Sequence, residues 1–460
     1  MKSHIRISYE TVLLIVFVSL ISSCNNESTR LSVVTRDSRT IFASILSGNS
    51  CHSTDTLLVP LTEIDNYQQA VWQGWVEANS QLDEPKLPFL CSLDTTTKDK
   101  WLLPDTLEPG ATMNFYWGKK GKVAAGEQFP LYLYLHGSGH RDKEWANGIK
   151  LCSDFDDAPS AYFIPQIPNM GQYYRWWQKS KQFAWERLLR QAFVSGQIDP
   201  DRVYFFGISE GGYGSQRLAS FYADYLAAAG PMAGGEPLKN APAVNCRNIG
   251  FSLRTGDLDT GFCRDVLTAN IAAEFDSLQQ IYPDKYIHHI ELISGAGHHI
   301  DYKPTTPWLK KFCRNPYPKS VAWENFEMDG VYRKGFYNIE VRERSNEDMS
   351  SRTYYEMDID HNHIDMNVNL VTYQVTEKDP HWGIPLKYHK TFTPATKGKF
   401  IIYLNGQLVD LSKEVTVALN GKEVYRGVVK TELRHLINSC ATFFDPERIY
   451  PAAIEVTIGK

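Results

Sequence analysis

The sequence predicts an α/β protein: a mostly parallel sheet with its helices over the middle of the chain, then an all-β region at the C-terminus. Three observations predict this. Between about residues 129 and 302, apolar strand-like runs alternate with amphipathic helical stretches, the pattern that builds a parallel sheet. One β-rich run, Arg202-Val203-Tyr204-Phe205-Phe206, leads directly into Gly207-Ile208-Ser209-Glu210-Gly211-Gly212 and then a helical stretch over 213–223. Beyond Arg314-Asn315-Pro316-Tyr317-Pro318 helical periodicity almost vanishes and short β-rich runs take over.

The elements follow in order. Lys2 and Arg6 precede an apolar run over 11–21, the length of a signal-peptide core and too short for a comfortable membrane span. Small residues then lead into Cys24, a pattern that resembles a bacterial lipobox, in which Cys24 is the lipidated first residue of an exported chain. A simple secretory signal with an incidental cysteine is the other reading. No later run is long and apolar enough to form a membrane helix. Residues 67–79 read as an amphipathic helix with Val71, Trp72 and Trp75 on one side, in a lead-in segment expected to pack on the domain that follows.

Residues 129–135 and 161–165 read as buried strands and 182–194 as a helix. Ile198-Asp199-Pro200-Asp201-Arg202 is the turn into the next strand. A strand over 248–254, a helix over 266–280 and a strand over 286–293 complete the alternation. In the C-terminal region Asn405-Gly406 and Asn420-Gly421 each stand between alternating apolar runs, a signal for two-residue hairpins and, with the rest of the pattern, for a β-sandwich. The expected division is a signal peptide over 1–23, a tether and accessory segment over 24–125, a catalytic domain over 126–315 and a β domain over 320–460.

At 460 residues the chain is long enough for two or three domains. A net charge of -5 without a long basic run argues against a nucleic-acid partner. Besides Cys24, seven cysteines are spread widely: Cys51, Cys91, Cys152, Cys246, Cys263, Cys313 and Cys440. With no C-x-x-C among them, a zinc site is not expected. An exported chain permits disulfides, but the spacing pairs none of these.

Gly-x-Ser-x-Gly between a strand and a helix is the sequence of a nucleophile elbow. The sharp turn lifts a serine hydroxyl off the sheet and frees the next backbone N–H to stabilise an oxyanion, and only glycine leaves room beside so tight a bend. Ser209 is the expected nucleophile. The acid of such a set follows in chain order, at the end of the next strand, where Thr255-Gly256-Asp257-Leu258-Asp259 stands. Gly-x-x-Asp selects Asp259, with Asp257 as the alternative. Both also suit plain turn positions. The histidine follows the last core strand at Ser294-Gly295-Ala296-Gly297-His298-His299, where His298 is chosen over His299.

The oxyanion hole needs a second donor besides the Glu210 N–H. His136-Gly137-Ser138-Gly139 follows an apolar strand and is similar to the HGGG-type loop of esterases. The Ser138 N–H is the preferred donor and Gly137 the second. For substrate contacts, Arg175, Trp176 and Trp177 in Tyr173-Tyr174-Arg175-Trp176-Trp177, together with Trp145, are candidates. Sugar faces stack on such rings and Arg175 suits a uronate carboxylate. The same aromatics equally suit a buried core. His361-Asn362-His363-Ile364-Asp365 fits a solvated strand face better than a metal site. No metal or cofactor is required.

The stretch from about 129 to 302 resembles secreted α/β-hydrolases of the polyhydroxybutyrate-depolymerase and feruloyl-esterase-like group. The residues carrying the likeness are His136-Gly137-Ser138-Gly139, Asp199-Pro200-Asp201-Arg202-Val203-Tyr204, Gly207-Ile208-Ser209-Glu210-Gly211-Gly212 and Gly295-Ala296-Gly297-His298. The whole chain also looks like exported hydrolase lipoproteins that pair such a domain with a C-terminal β domain. The resemblance implies an α/β-hydrolase fold and a serine esterase acting on a carboxylic ester, often an acyl group on a polysaccharide, in a chain lipid-anchored to the bacterial cell envelope. Glu210 departs into a variable position, where its carboxylate would disfavour anionic substrates or meet a hydroxyl. Two other classes stay open. Gly-x-Ser-x-Gly-Gly also occurs in prolyl-oligopeptidase-like peptidases, which usually carry a β-propeller that the roughly 100 residues before the domain cannot build. The third reading is a non-catalytic glycan-binding lipoprotein on the same scaffold.

Overall fold

The computed structural model describes residues 29–459, so the signal segment and Cys24 lie outside the described residues. The chain forms two compact units. One takes in the chain up to Asp83 with Lys430–Phe444 and Ile449–Ala452; the other is Glu84–Val429 with Asp445–Arg448 and Ala453–Lys460.

The first unit is helical. It holds α1 (29–46), α2 (Ile64–Ser80) and a helix over Leu433–Phe443. Phe42 meets Trp75 edge-to-face at 5.0 Å between ring centroids, and Gln68 Nε2 donates to the Ile449 carbonyl at 2.7 Å. The expected helix over 67–79 is thus the inner part of α2. The Leu433–Phe443 helix departs from the all-β expectation for the C-terminal region. It forms because Leu433, Leu436, Ile437, Cys440 and Phe443 share one buried face.

The second unit is built on an eight-stranded sheet of order β1-β2-β4-β3-β5-β6-β7-β8. Its strands are β1 (Lys98–Leu102), β2 (Thr112–Lys120), β3 (Phe129–Leu135), β4 (Ser160–Pro165), β5 (Ile198–Ile208), β6 (Ala228–Met232), β7 (Gly250–Gly256) and β8 (His288–Ile293). From β4 to β8 every neighbouring pair is parallel, and β2 runs antiparallel to both β1 and β4. This is the α/β-hydrolase fold. The lead-in segment is therefore not merely accessory: its residues 98–120 supply two strands of the main sheet. Between the strands run α3 (Arg141–Asp154), α4 (Lys179–Val194), α5 (Glu210–Tyr222) and α6 (Arg264–Ile281).

All seven residues of β3 are buried, as a central parallel strand requires. On the sheet, Tyr132 lies opposite Tyr162 and Tyr204 on its two neighbours, with ring centroids 5.2 and 4.7 Å apart. The chain leaves β3 for β4 on one side of it and returns to β5 on the other. In open α/β sheets the crevice at such a switch, beyond the strands' carboxyl ends, is where ligands bind. Leu135 pairs with Gly207 there, so the loop after β3 and the turn after β5 emerge side by side.

The β-rich region forms two further sheets. One is β10 (Gly335–Phe336), β11 (Ile339–Glu343), β15 (Gly398–Leu404) and β18 (Ala452–Ile458). The other orders β17 (Lys422–Val428), β16 (Glu414–Leu419), β13 (His363–Lys378), β12 (Arg352–Asp360) and β9 (Ser320–Asn325), with β14 (Pro385–Pro394) paired to β13. Trp323 stacks on Phe336 at 5.3 Å and Tyr355 meets Phe400 at 5.8 Å, so the two sheets face one another as a sandwich. Asn420-Gly421 is the expected two-residue hairpin: Leu419 pairs with Lys422 and both turn residues have positive φ. Asn405-Gly406 is not. β15 and β16 lie in different sheets, and Asn405 Oδ1 instead accepts from the Gln407 and Leu408 N–H groups. His361 and Asn362 form the turn between β12 and β13.

Arg314, in the stretch read as a domain boundary, is buried and ion-paired, with Nη1 donating to Asp445 Oδ2 at 2.6 Å. Asn245 likewise exchanges hydrogen bonds with the Glu324 backbone at 2.6 and 3.0 Å. These bonds make the hydrolase sheet and the sandwich parts of one compact unit. Among the described residues, Cys51, Cys91, Cys152, Cys246, Cys263 and Cys313 are free thiols.

Candidate active site

Ser209 sits between β5 and α5 at φ 57° and ψ -114°, a conformation that costs a non-glycine residue about 1–3 kcal/mol. Its surroundings hold it there. The Ser209 N–H donates to the Met232 carbonyl and the Ser209 carbonyl accepts from Tyr213, at 2.9 and 3.0 Å. The flanking glycines are obligatory. A Cβ on Gly211 would lie 1.9 Å from the Leu135 carbonyl oxygen, and one on Gly207 would lie 2.5 Å from that of Gly211.

His298 reaches both predicted partners. Its Nε2 is 2.9 Å from Ser209 Oγ and its Nδ1 is 2.7 Å from Asp259 Oδ2. A carboxylate only accepts, so Nδ1 carries the proton and Nε2 is free to accept from the serine hydroxyl. Asp259 is buried, and its Oδ1 accepts from Arg264 Nη1 at 2.7 Å. Asp257 does something else: its Oδ1 accepts from the Gly295 N–H at 2.8 Å, and the Leu258 N–H donates to the Ala296 carbonyl at 2.9 Å. These bonds stitch the acid turn to the histidine loop. His299 is exposed beside His298.

The loop after β3 is aimed by buried groups. The Ile167 N–H donates to His136 Nε2 at 3.1 Å, which leaves the proton on Nδ1, donating to the Gly137 carbonyl at 2.8 Å. Burial pushes the His136 pKa down to about 4, which keeps the ring neutral. Tyr174 Oη donates to the same carbonyl at 2.6 Å, and Trp176 Nε1 donates to the His136 carbonyl at 2.9 Å. A trans peptide points its N–H opposite to its C=O. With the Gly137 carbonyl held toward Tyr174 and His136, the Ser138 N–H faces the other way. Ser138 lines the cavity that contains Ser209. A Cβ on Gly137 would stand 3.5 Å from Ser209 Cβ, so the loop passes close to the nucleophile. The Glu210 N–H opens α5, where the first N–H groups have no helical partner.

The cavity beside Ser209, of about 470 Å³, is lined by Arg175, Trp177, Tyr213, Arg217, Phe262 and Arg264 among others. Two candidates leave the substrate set. Trp145 stacks on Tyr116 at 4.3 Å and donates to the Ile164 carbonyl, fixing α3 to the sheet. Trp176 is 0% exposed and braces the loop after β3. Arg175 and Trp177 line the cavity. Arg217 lies over the Trp177 ring at 3.9 Å and forms a bidentate pair with Glu236 at 2.6 and 3.0 Å.

Glu210 turns its side chain into the same cavity. Arg175 is its nearest cation at 3.5 Å, and Oε1 has no hydrogen-bond partner among the described residues. Burial raises its pKa to about 7, Arg175 opposing and Glu236 adding to the rise.

Sequence reasoning missed Arg264, Arg217, Glu236, Ile384 and Pro385, and read Tyr174 only as part of an aromatic run, not as a donor to the Gly137 carbonyl. Arg264 was within reach, five residues after Asp259 and opening the next helix. Ile384 and Pro385 line the cavity from the far end of the chain, where no local signal marks them.

No family model matches the chain, and no curated protein matches it in sequence. Solved structures with a similar fold include a thermostable esterase at 18% identity and TM-score 0.36, the match covering 48% of this chain and 64% of that one. A ferulic acid esterase matches at 14% identity and TM-score 0.35, over 46% of this chain and 96% of its own. The feruloyl esterase module from Clostridium thermocellum matches at 12% identity and TM-score 0.31, over 50% and 96%. Likeness at this level decides nothing about chemistry.

Proposed function

We propose that the protein is a serine hydrolase of carboxylic esters, with Ser209 as nucleophile, His298 as general base and Asp259 as the acid that orients it. The single observation that carries this reading is the continuous path Asp259–His298–Ser209, closed by hydrogen bonds of 2.7 and 2.9 Å. His298 Nε2 takes the hydroxyl proton as Oγ attacks the acyl carbon. The Ser138 and Glu210 N–H groups hold the oxyanion, each donor worth about 3–4 kcal/mol in the transition state. The imidazolium returns its proton to the leaving alcohol. Water, deprotonated by the same nitrogen, then cleaves the acyl-enzyme and frees the acid.

The substrate we infer is an acyl or methyl ester on a polysaccharide, met by Arg175 and Trp177 at the cavity wall. Export and lipidation at Cys24 would place the enzyme at the cell envelope, where such polymers are met. The test is release of acetate, methanol and ferulate from a panel of acylated polysaccharides by wild type and Ser209→Ala. Serine-dependent release of one product supports the reading and names the acyl class. No release, together with cleavage of an X-Pro anilide, overturns it in favour of a peptidase. Metabolic labelling with a lipid precursor, lost in Cys24→Ala, tests the anchor.

A further inference from the structure

The sandwich reaches the active site through one hairpin. From Thr372 onward β13 pairs with β14 alone, and register shifts at Val375/Glu377 and Glu377/Lys378 bend this arm. Its tip is tied to the acid side of the site. Asn270 Nδ2 on α6 donates to the Leu386 carbonyl at 3.1 Å, and Leu386 and Ile384 pack against Cys263 and Leu267. Asp379 orders the tip itself: its Oδ1 accepts from the His381 and Trp382 N–H groups at 3.0 and 2.6 Å, and its carbonyl accepts from Gly383. Ile384 and Pro385 thereby become part of the wall of the Ser209 cavity.

Two large aromatic rings meet at this junction and stay in solvent. Trp382 on the tip is 44% exposed and Phe262, three residues after Asp259, is 46% exposed. Their centroids are 4.4 Å apart and their planes tilted by 39°. Phe262 also lines the cavity, so the pair continues outward from the nucleophile. Phe262 and Cys263 both hold left-handed backbone, at φ 55° and 59°, which glycine would adopt more readily. Polar groups surround the rings: His381 stands 4.6 Å from Trp382, and the Arg264 guanidinium 5.3 Å from Phe262.

We propose that Trp382 and Phe262 form a platform at the rim of the Ser209 cavity that stacks on a sugar ring of the alcohol part of the ester. This rests on the polysaccharide-ester reading and assigns the β-rich region a part in recognition. The two rings cover each other's facing sides at 4.4 Å, and a pyranose, with an apolar C–H face and a hydroxylated edge, suits the outward face of this pair, which is flanked by hydrogen-bonding groups. An acyl group, by contrast, belongs at the Ser209 end of the cavity, inside the platform.

The test titrates xylohexaose, cellohexaose and a hexagalacturonate into the full-length Ser209→Ala protein, followed by calorimetry and by tryptophan fluorescence. At least one oligosaccharide should bind, and adding Trp382→Ala should weaken it by about tenfold, the cost of losing a well-placed aromatic anchor. Trp382→Tyr should keep most of the affinity. Phe392→Ala, an exposed ring elsewhere on β14 (48% exposed), should leave it unchanged. Binding of none of the three, or equal binding by Trp382→Ala, overturns the platform. Hydrolysis of p-nitrophenyl acetate by the wild type is measured alongside. Turnover without glycan binding overturns the platform alone; Trp382-dependent binding without turnover overturns the esterase reading and leaves the platform standing.

Discussion

Arg264 grips the carboxylate that orients His298: its Nη1 donates to Asp259 Oδ1 at 2.7 Å while Oδ2 faces the imidazole at the same distance. The carboxylate is thereby held from two sides, and its rotation is blocked. Arg264→Ala should lower kcat by about 10- to 100-fold, because a small displacement of the base misaligns the proton transfer. Arg264→Lys should recover part of the loss. Steady-state kinetics on p-nitrophenyl acetate checks this; unchanged kcat in Arg264→Ala would remove Arg264 from the positioning of Asp259.

Tyr174 acts through the Gly137 carbonyl. Tyr174→Phe removes one of the two donors that turn this peptide, so the Ser138 N–H loses its aim. A fall in kcat of about tenfold is expected, smaller than the loss of an oxyanion donor outright. Affinity for a boronic acid transition-state analogue should fall in parallel while KM stays nearly constant. An effect on KM alone would place Tyr174 in substrate binding instead.

Glu210 sets a pH dependence of stability. Its pKa in the folded chain is raised to about 7 by burial, above that of a glutamate in the unfolded chain. The folded state therefore binds the extra proton, and stability falls as pH rises from about 4.5 through 7. Below that window the group costs nothing; above it the penalty is full, on the order of 3 kcal/mol. Glu210→Gln should raise Tm at pH 8 and change it little at pH 4.5. Thermal unfolding at the two pH values decides, and an equal shift at both would contradict the assignment.

Adjacent tryptophans should behave differently. Trp176 is fully buried with its Nε1 hydrogen-bonded, so Trp176→Ala should cost about 3–5 kcal/mol of stability. Trp177 lines the cavity, so Trp177→Ala should act on KM with a far smaller loss of stability. Urea unfolding beside kinetics separates the two.

What the sequence made legible follows from where each signal is local. Strands buried on both faces, such as 129–135, are written as unbroken apolar runs, and β3 has those bounds in the structure. The elbow is legible because steric demands on Gly207 and Gly211 leave only one residue type. Chain order placed the acid and the histidine after the serine, the Gly-x-x-Asp and Gly-x-Gly-His patterns chose Asp259 and His298 there, and the residues so chosen stand within hydrogen-bond reach of one another. β1 and β2 were not read because β1 is largely exposed and charged and β2 sets a buried run at 115–118 among polar Asn114, Lys119 and Lys120, and only the pairing of β1 with β2 and of β2 with β4 draws them into the sheet. The Leu433–Phe443 helix was readable, since its apolar residues recur at helical spacing, but the surrounding β pattern masked it. The exchange of Trp176 for core and Trp177 for cavity was not readable, because neighbouring residues of one aromatic run face opposite ways for reasons of packing. The hairpin tip was out of reach altogether: Trp382 comes 173 positions after Ser209, and tertiary contact alone brings them to one site.

The most direct test of the central claim is reaction of the folded protein with a fluorophosphonate, read by mass spectrometry of its peptides. Labelling at Ser209, absent in Ser209→Ala and strongly reduced in His298→Ala, is the result predicted by the Asp259–His298–Ser209 path. An unlabelled Ser209 in the folded wild type would contradict it.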